Sequence, residues 1–383
     1  MDLTFSAEDE AFRREVRDFV RAELAAEVRR KMEEGRSLTR DEVVDWQRRL
    51  NARGWATPSW PKDHGGPGWS PVQRHLFLDE LHQAPAPEPL SFNVSMIGPV
   101  LIAYGTDEQK ARFLARAANL DDWWAQGFSE PGAGSDLANI RTAAVRDGDD
   151  YVVTGQKMWQ GMAHRADWMF TLARTNPTAP KKQAGITFLL IDLKSPGVTI
   201  RPIITVDGRH EVNEVFLDSV RVPAANRVGA ENDGWTVAKY LLSNERTGIA
   251  RIGMTKRLIA RAKAAADALS PELASRAREK AAALEAELKA LEITQLRVLA
   301  AQKAGAPDPR SSILKLKGVE LRQAASELLL RTAGVTARAF AYEDEPEAPS
   351  DIASNFLTLR AASIYGGASE VQKNILAATV LGL

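Results

Sequence analysis

The chain has 383 residues, of which 44% are apolar, so it can bury one large core or two to three smaller ones. Lysine plus arginine number 50 and aspartate plus glutamate also number 50, which leaves no net charge to attract nucleic acid or an anionic membrane. Cysteine is absent, which excludes disulfides, thiolate catalysis and thiolate metal ligands.

The sequence predicts neither a metal site nor a membrane segment. The five histidines lack a ligand spacing such as H-E-x-x-H, so we expect no bound metal. Charged residues occur throughout the first twenty positions, which argues against a signal peptide, and the apolar runs fall short of the ~20 residues that span a bilayer. We therefore expect a cytoplasmic protein that binds neither nucleic acid nor membrane.

Residues 1–119 are predicted to form a helical domain. Three capping-box patterns precede apolar residues at helical spacing and mark helix starts: Ser6 with Asp9, Thr39 with Glu42, and Thr106 with Gln109. Between the last two, the stretch from Trp55 to Pro71 is rich in glycine, proline and tryptophan, which is typical of a long ordered loop.

Residues 120–231 are predicted to form a small β domain of the sandwich or barrel type, and residues 232–383 a helical bundle. The β domain contains short runs of β-forming residues separated by Gly, Pro, Asn and Asp. These predicted strands are Tyr151–Thr154, Trp168–Ala173, Ile186–Ile191, Val198–Ile203 and Val215–Val222. Helix formers return from Trp235 onward, with Leu284, Leu288, Leu291 and Val298 at helical spacing.

Four further motifs follow one another in a fixed order. They read QGFSEPGAGSD from Gln126, GQKMWQG from Gly155, EVFLDSVRVP from Glu214 and IYGGASEVQ from Ile364. This ordered set resembles the acyl-CoA dehydrogenase family of flavoproteins, and the resemblance covers nearly the whole chain. It implies a helical domain, a central β domain and a C-terminal four-helix bundle, with FAD held between the last two.

The resemblance also implies the cofactor and substrate contacts. The turn at Phe128 and Ser129 matches one that lies along the flavin ring, Ser135 matches a contact to the pantetheine arm, and Trp159 matches a tryptophan packed on one flavin face. Gly161 departs from the family pattern, which commonly has a threonine there whose hydroxyl meets the flavin N5. The same resemblance assigns five more residues to the cofactor site: Gln126, Tyr365, Gly367, Ser369 and Gln372.

The catalytic base is not at its most usual position. Many relatives carry a glutamate directly after the tyrosine of the C-terminal motif, where this chain has Gly366. A second group carries the base in a Glu-Arg pair on a bundle helix, which matches Glu245 and Arg246. We therefore expect Glu245 to be the base, Gly366 to hold the thioester oxygen through its N–H, and Glu370 to be a charge at a helix start.

The expected reaction is α,β-dehydrogenation of an acyl-CoA to the trans-2-enoyl-CoA, a step of β-oxidation in lipid metabolism, with electrons passed to an electron-transfer flavoprotein. Within the family, the chain looks most like the large subunit often labelled pimeloyl-CoA dehydrogenase. Fatty, dicarboxylic, branched and steroid side-chain thioesters all stay open as substrates. The alternatives are a flavin oxidase or monooxygenase on the same fold, and a non-catalytic subunit of a heteromeric dehydrogenase.

A hetero-oligomer is expected from what the chain lacks. Homomeric relatives lend an Arg-x-x-x-Phe motif and a Gln-x-x-Gly-Gly turn to the adenosine side of the neighbouring subunit's FAD. The matching segments, Ala265–Glu285 and Leu329–Phe340, contain neither motif. We therefore predict a heterotetramer with a second acyl-CoA dehydrogenase-like subunit, the alternative being a homodimer or homotetramer with a relaxed adenosine site.

Overall fold

The structure is a computed structural model that describes residues 4–245, 250–301, 310–335, 337 and 352–383, with the side chains of 243–245 and 301 left out. The N-terminal helices are α1 (Ala7–Glu23), α2 (Ala26–Glu34), α3 (Arg40–Ala52), α4 (Pro71–Gln83), α5 (Gly98–Tyr104) and α6 (Asp107–Ala118). The C-terminal helices are α7 (Gly234–Glu245), α8 (Ile252–Ala266), α9 (Pro271–Ala301), α10 (Ser311–Thr332), α11 (Ile352–Thr358) and α12 (Ser369–Leu376). The predicted order of helical, β and helical segments is confirmed.

The predicted helix starts are confirmed, since all three capping boxes are present. Ser6, Thr39 and Thr106 each accept a hydrogen bond from the backbone N–H three residues later. A fourth capping box, Ser70 with Gln73, begins α4 and was not predicted. The stretch before it is an ordered loop as predicted, because the Trp60 indole is buried and donates to Val94 O at 2.7 Å.

The middle segment forms one eight-stranded sheet in the order β6-β7-β3-β2-β4-β5-β8, with β1 pairing in parallel with β4. The strands are β1 (Trp124–Gly127), β2 (Ala143–Asp147), β3 (Asp150–Gly161), β4 (Trp168–Arg174), β5 (Ile186–Asp192), β6 (Val198–Ile204), β7 (His210–Pro223) and β8 (Arg227–Val228). The prediction omitted β1, β2 and β8, and it made β3 and β7 too short. Both strands continue past two register shifts in their pairing, which leave Thr154 and Trp159 of β3 without an opposite residue.

The second register shift determines how β3 presents its last residues. Trp159 lies between Met158 and Gln160, where the pairing with β7 skips one residue, and its φ is +69°. Only a bulge or a turn holds a tryptophan in this region. As a result the Trp159 side chain leaves the sheet and is 55% exposed.

A π-helical segment, Phe92–Ile97, joins the helical domain to the sheet. Its Asn93 is fully buried and donates through Nδ2 to Ala117 O at 3.0 Å and to Asp122 O at 2.7 Å. The Oδ1 atom of Asn93 accepts from the backbone N–H of Trp124 at 3.0 Å. One side chain therefore fixes the π-helical segment against the end of α6 and the start of β1.

The β6–β7 turn connects the sheet to both helical domains. Asp207 is buried there, and it accepts a hydrogen bond at 2.5 Å from Thr358, the last residue of α11. Arg209 donates to Gly35 O at 3.0 Å, in the N-terminal domain. Within the described residues, no helix is long and apolar enough to cross a membrane.

We predict that Asn93→Leu destabilises the protein by at least about 2 kcal/mol. Leucine has a similar volume but removes the donor to Asp122 O and the acceptor of the Trp124 N–H, while Ala117 O keeps a backbone donor. Chemical denaturation followed by circular dichroism measures the loss.

The matched control is Asn374→Leu at an exposed position of α12, which we expect to change stability by less than about 0.5 kcal/mol. Equal stabilities for Asn93→Leu and the unchanged protein would show that the buried asparagine does not hold the junction.

Candidate active site

A buried ion pair shapes the loop that follows β1. The Lys157 side chain on β3 is fully buried, and its Nζ lies 2.8 Å from Glu130 Oε1, 2.8 Å from Leu172 O and 3.2 Å from Phe128 O. Burial lowers the pKa of Lys157 to about 8, although Glu130 opposes the change. This value leaves the ammonium charged at neutral pH.

Glu130 is held in its charged form by the other side of the same loop. Its carboxylate accepts from the backbone N–H groups of Arg141 at 2.6 Å and Thr142 at 3.0 Å. Burial works to raise the pKa of Glu130, but Lys157 and these N–H donors outweigh it, so the net change is downward. The ion pair therefore ties the loop to β3, β4 and the start of β2.

The loop holds the first group of predicted site residues. Ser129 O accepts from Met158 N at 2.9 Å and from Gln160 Nε2 at 3.3 Å, which sets the loop beside the bulge in β3. The Phe128 side chain points into the core against Phe170 and Phe188, so only its backbone is available to a ligand. Gln126 is half-buried on β1, and Ser135 is exposed at the far end of the loop.

Gly161 ends β3 against an aromatic ring. A Cβ atom at this position would lie 3.0 Å from Phe92 Cζ and 3.3 Å from Phe92 Cε2. The Phe92 ring therefore uses the space that a threonine side chain would need. The contact between Gly161 and Phe92 of the π-helical segment accounts for the missing threonine. The sequence alone did not indicate this contact.

The second group of site residues lies in the turn before α12. Gly366 and Gly367 have φ values of +63° and +89°, which L-residues rarely adopt. A Cβ at Gly367 would lie 2.2 Å from Gln372 Nε2. Lys315 is buried on α10. It donates to Tyr365 O at 2.6 Å and thereby fixes the turn against α10.

The remaining residues of this turn close it from the helix side. Ser369 begins α12, and its hydroxyl donates to Ser363 O at 3.4 Å. Glu370 lies in the first turn of α12 and is exposed, as predicted for a charge at a helix N-terminus. Glu245 is the last residue of α7, whereas its side chain and all of Arg246 lie outside the described residues.

The two groups are connected through the β6–β7 turn, because Asp207 binds α11 and the chain continues from α11 into the turn before α12. Both groups expose aromatic rings, with Trp159 55% and Tyr365 54% exposed. The Gln372 side chain is buried, and in the described part of the chain its Oε1 has no hydrogen-bond partner.

These features fit a planar, polar-edged cofactor such as FAD. Trp159 offers a ring to a flat ligand face, and Gly366 has no side chain that would keep a ligand from the backbone. Gln372 Oε1 offers an acceptor to a ligand donor. Among the described residues, no cluster of three or more histidine, aspartate or glutamate side chains could hold a metal ion.

Family models match the chain in three consecutive segments. They are the acyl-CoA dehydrogenase N-terminal domain over residues 6–121, the middle domain over 125–220 and the C-terminal domain over 232–381. One relative, acyl-CoA dehydrogenase IpdE1 of Mycobacterium tuberculosis, is 38% identical over 347 residues, which cover 88% of this chain and 87% of the relative.

Solved structures agree with this match. The ChsE4-ChsE5 complex from Mycobacterium tuberculosis contains a chain that is 32% identical, with a TM-score of 0.86 and coverage of 100% of this chain and 99% of that one. A structure described as the Tcur3481-Tcur3483 steroid ACAD is 31% identical, with a TM-score of 0.87 and the same coverage. The chain therefore belongs to the acyl-CoA dehydrogenase family of flavin-dependent oxidoreductases.

Proposed function

We propose that this protein is an FAD-dependent acyl-CoA dehydrogenase that converts an acyl-CoA to its trans-2-enoyl-CoA, with Glu245 as the base. The observation that carries the choice of base is Gly366. It has no side chain and a φ of +63°, so the position after Tyr365 supplies no carboxylate. Glu245, at the end of α7, is then the remaining carboxylate that matches a catalytic base of the family.

In this proposal the proton and the hydride leave the substrate in opposite directions. The Glu245 carboxylate takes the proton from the carbon α to the thioester, with Arg246 beside it. Bound FAD would supply the oxidation by accepting the hydride from the β carbon. The electron pair of the Cα–H bond forms the new double bond, while the pair of the Cβ–H bond leaves with the hydride.

Charge that develops on the thioester oxygen needs a donor. Gly366 offers a backbone N–H in a turn that Lys315 holds through Tyr365 O. A donor fixed in advance stabilises an enolate-like oxygen without reorganising during the reaction. The Trp159 ring would pack on the flavin, and the Lys157–Glu130 pair would keep the neighbouring loop in shape.

We further propose that the active form is a hetero-oligomer, with two copies of this chain and two of a second acyl-CoA dehydrogenase-like subunit. The missing adenosine-side motifs support this, as do two structural neighbours whose descriptions each pair two components. The reduced flavin would pass its electrons to an electron-transfer flavoprotein. The description of one neighbour as a steroid ACAD favours a steroid-derived acyl group over a simple fatty chain.

We predict that Glu245→Gln slows flavin reduction by an acyl-CoA by at least ~10²-fold, the lower limit for losing a general base. Glutamine keeps the shape of the side chain but cannot take the proton. Anaerobic stopped-flow absorbance of the bound flavin measures the rate.

Glu370→Gln is the matched control, because it removes a glutamate near the same turn from an exposed helix start. We expect its rate to stay within about twofold of the unchanged protein. Flavin reduction at an unchanged rate in Glu245→Gln, with FAD content preserved, would refute the proposed base.

We predict that the chain expressed alone retains well under one FAD per chain. Co-expression with a second acyl-CoA dehydrogenase-like chain should give a complex with one FAD per pair, because the partner would supply the adenosine-side contacts. Flavin absorbance combined with light scattering measures both quantities. A stable, active homo-oligomer with one FAD per chain would contradict the heteromer.

A further inference from the structure

One face of α10 lies between the start of α8 and the turn before α12. Lys315, Gly318 and Arg322 are three and four residues apart and therefore share this face. A Cβ at Gly318 would lie 2.7 Å from Ala250 Cα, so the helix packs directly on the backbone that leads into Arg251. Lys315 contacts Tyr365 O at the other end of the face.

Arg322 is an unusual member of this face, because it is only 7% exposed. In the described part of the chain, no hydrogen-bond partner reaches its Nε atom. A buried guanidinium keeps its charge and is costly to bury without an acceptor. A native structure that retains such a group needs a reason for it.

Arg251 is close enough to be affected by the charge of Arg322, but it carries only donors and cannot accept a hydrogen bond from Arg322. Burial, and after it the charge of Arg322, lowers the pKa of Arg251 to about 10, so Arg251 stays charged at neutral pH. Arg251 forms an ion pair with Glu88, and Glu88 also lies 2.6 Å from His82 Nε2. Burial lowers the pKa of His82 to about 3, so this histidine is neutral and adds no charge.

The nearby carboxylates whose side chains the structure describes already have partners. Glu88 accepts from Arg251 and His82. Asp79 lies on the same helix as His82, and it pairs with Arg13 at 3.2 Å and with Lys256 at 3.2 Å. Counted over the described side chains, the cluster formed by Arg251, Arg322, Glu88 and His82 therefore carries an excess of positive charge in a partly buried position.

This cluster lies beside the proposed reaction centre. Arg251 is within electrostatic range of the Tyr365 side chain, and Tyr365 directly precedes Gly366. On the opposite side, Glu88 is four residues before Phe92, whose ring packs against Gly161. Lys315 lies on the same face of α10 as Arg322 and donates to Tyr365 O, so Gly366 and the cluster lie along this one face of the helix.

We infer that Arg322, together with Arg251, binds a hydrogen-bond-accepting oxygen on the acyl group, at a distance from the thioester. This inference rests on the proposed function and deepens it. The preferred substrate is then an acyl-CoA whose acyl group carries a carboxylate or a ketone, and an unsubstituted fatty chain is a poor one. A hydrocarbon end would leave Arg322 Nε without an acceptor, whereas an oxygen supplies one.

The test uses three acyl-CoAs of equal chain length that end in a methyl group, a carboxylate or a ketone. Their binding to the flavin-loaded protein is measured by isothermal titration calorimetry, and flavin reduction is measured separately. We expect at least one oxygen-bearing thioester to bind at least about tenfold more tightly than the methyl-ended one. Arg322→Met should abolish this preference and leave binding of the methyl-ended thioester unchanged or tighter.

The variant Arg322→Lys distinguishes a carboxylate from a ketone as the oxygen that the site binds. It should keep part of the preference for a carboxylate, because the charge remains, and lose more of any preference for a ketone. Arg331→Met is the matched control, since Arg331 is exposed near the end of the same helix and pairs with Glu327. It should change none of the three affinities.

Thermal unfolding distinguishes a binding role from a structural one. Removal of an unpaired buried charge should leave the unfolding midpoint of Arg322→Met equal to or above that of the unchanged protein. Equal binding of all three thioesters by the unchanged protein, or an equal loss for all three in Arg322→Met, would overturn the inference. Flavin that stays oxidised with every thioester would instead contradict the proposed dehydrogenation, while the binding data still decide the arginine site.

Discussion

The buried Lys157–Glu130 ion pair is the constraint on which the candidate site depends. Lys157 Nζ contacts a carboxylate and two backbone carbonyls from the loop after β1 and from β4. Removing either partner would leave a charge in the core, which is far more costly than breaking a surface pair. The loop is consequently held in one position, and Ser129 O in that loop receives the N–H of Met158 next to the bulge.

The bulge and the π-helical segment then form one wall of the site from two domains. Trp159 adopts a positive φ and leaves the sheet, while Phe92 packs where a side chain at position 161 would lie. Asn93 holds the π-helical segment through three hydrogen bonds to fixed backbone groups. Strained or irregular backbone of this kind persists only where the surroundings determine it, and it is common at functional sites.

Local signals in the sequence predicted the parts of the fold that depend on neighbouring residues. Capping boxes join residues three apart, so the starts of α1, α3 and α6 could be read directly. The strand β1 has four residues and pairs in parallel with β4, so its existence depends on a partner far along the chain. The sequence pattern of Trp124–Gly127 carries no trace of that partner, and the strand was missed.

The same distinction applies to the candidate site. Two adjacent glycines, Gly366 and Gly367, predict an unusual turn from residue type alone, and both have a positive φ in the structure. The contact between Phe92 and Gly161, and the position of Arg322 beside Arg251, arise from helices and strands that meet only in the folded chain. A lone phenylalanine or arginine in a helix-forming segment gives no signal of such a role.

We propose that the bulge in β3 and the turn before α12 form two sides of one flavin and thioester site. The most direct measurement is a crystal structure of the FAD-loaded protein with a non-oxidisable acyl-CoA analogue. We predict the flavin ring against Trp159 and the thioester oxygen within hydrogen-bonding distance of the Gly366 N–H, with Glu245 facing the α carbon. A flavin that binds away from Trp159, or a thioester that is not near Gly366, would show that these two segments do not form one site.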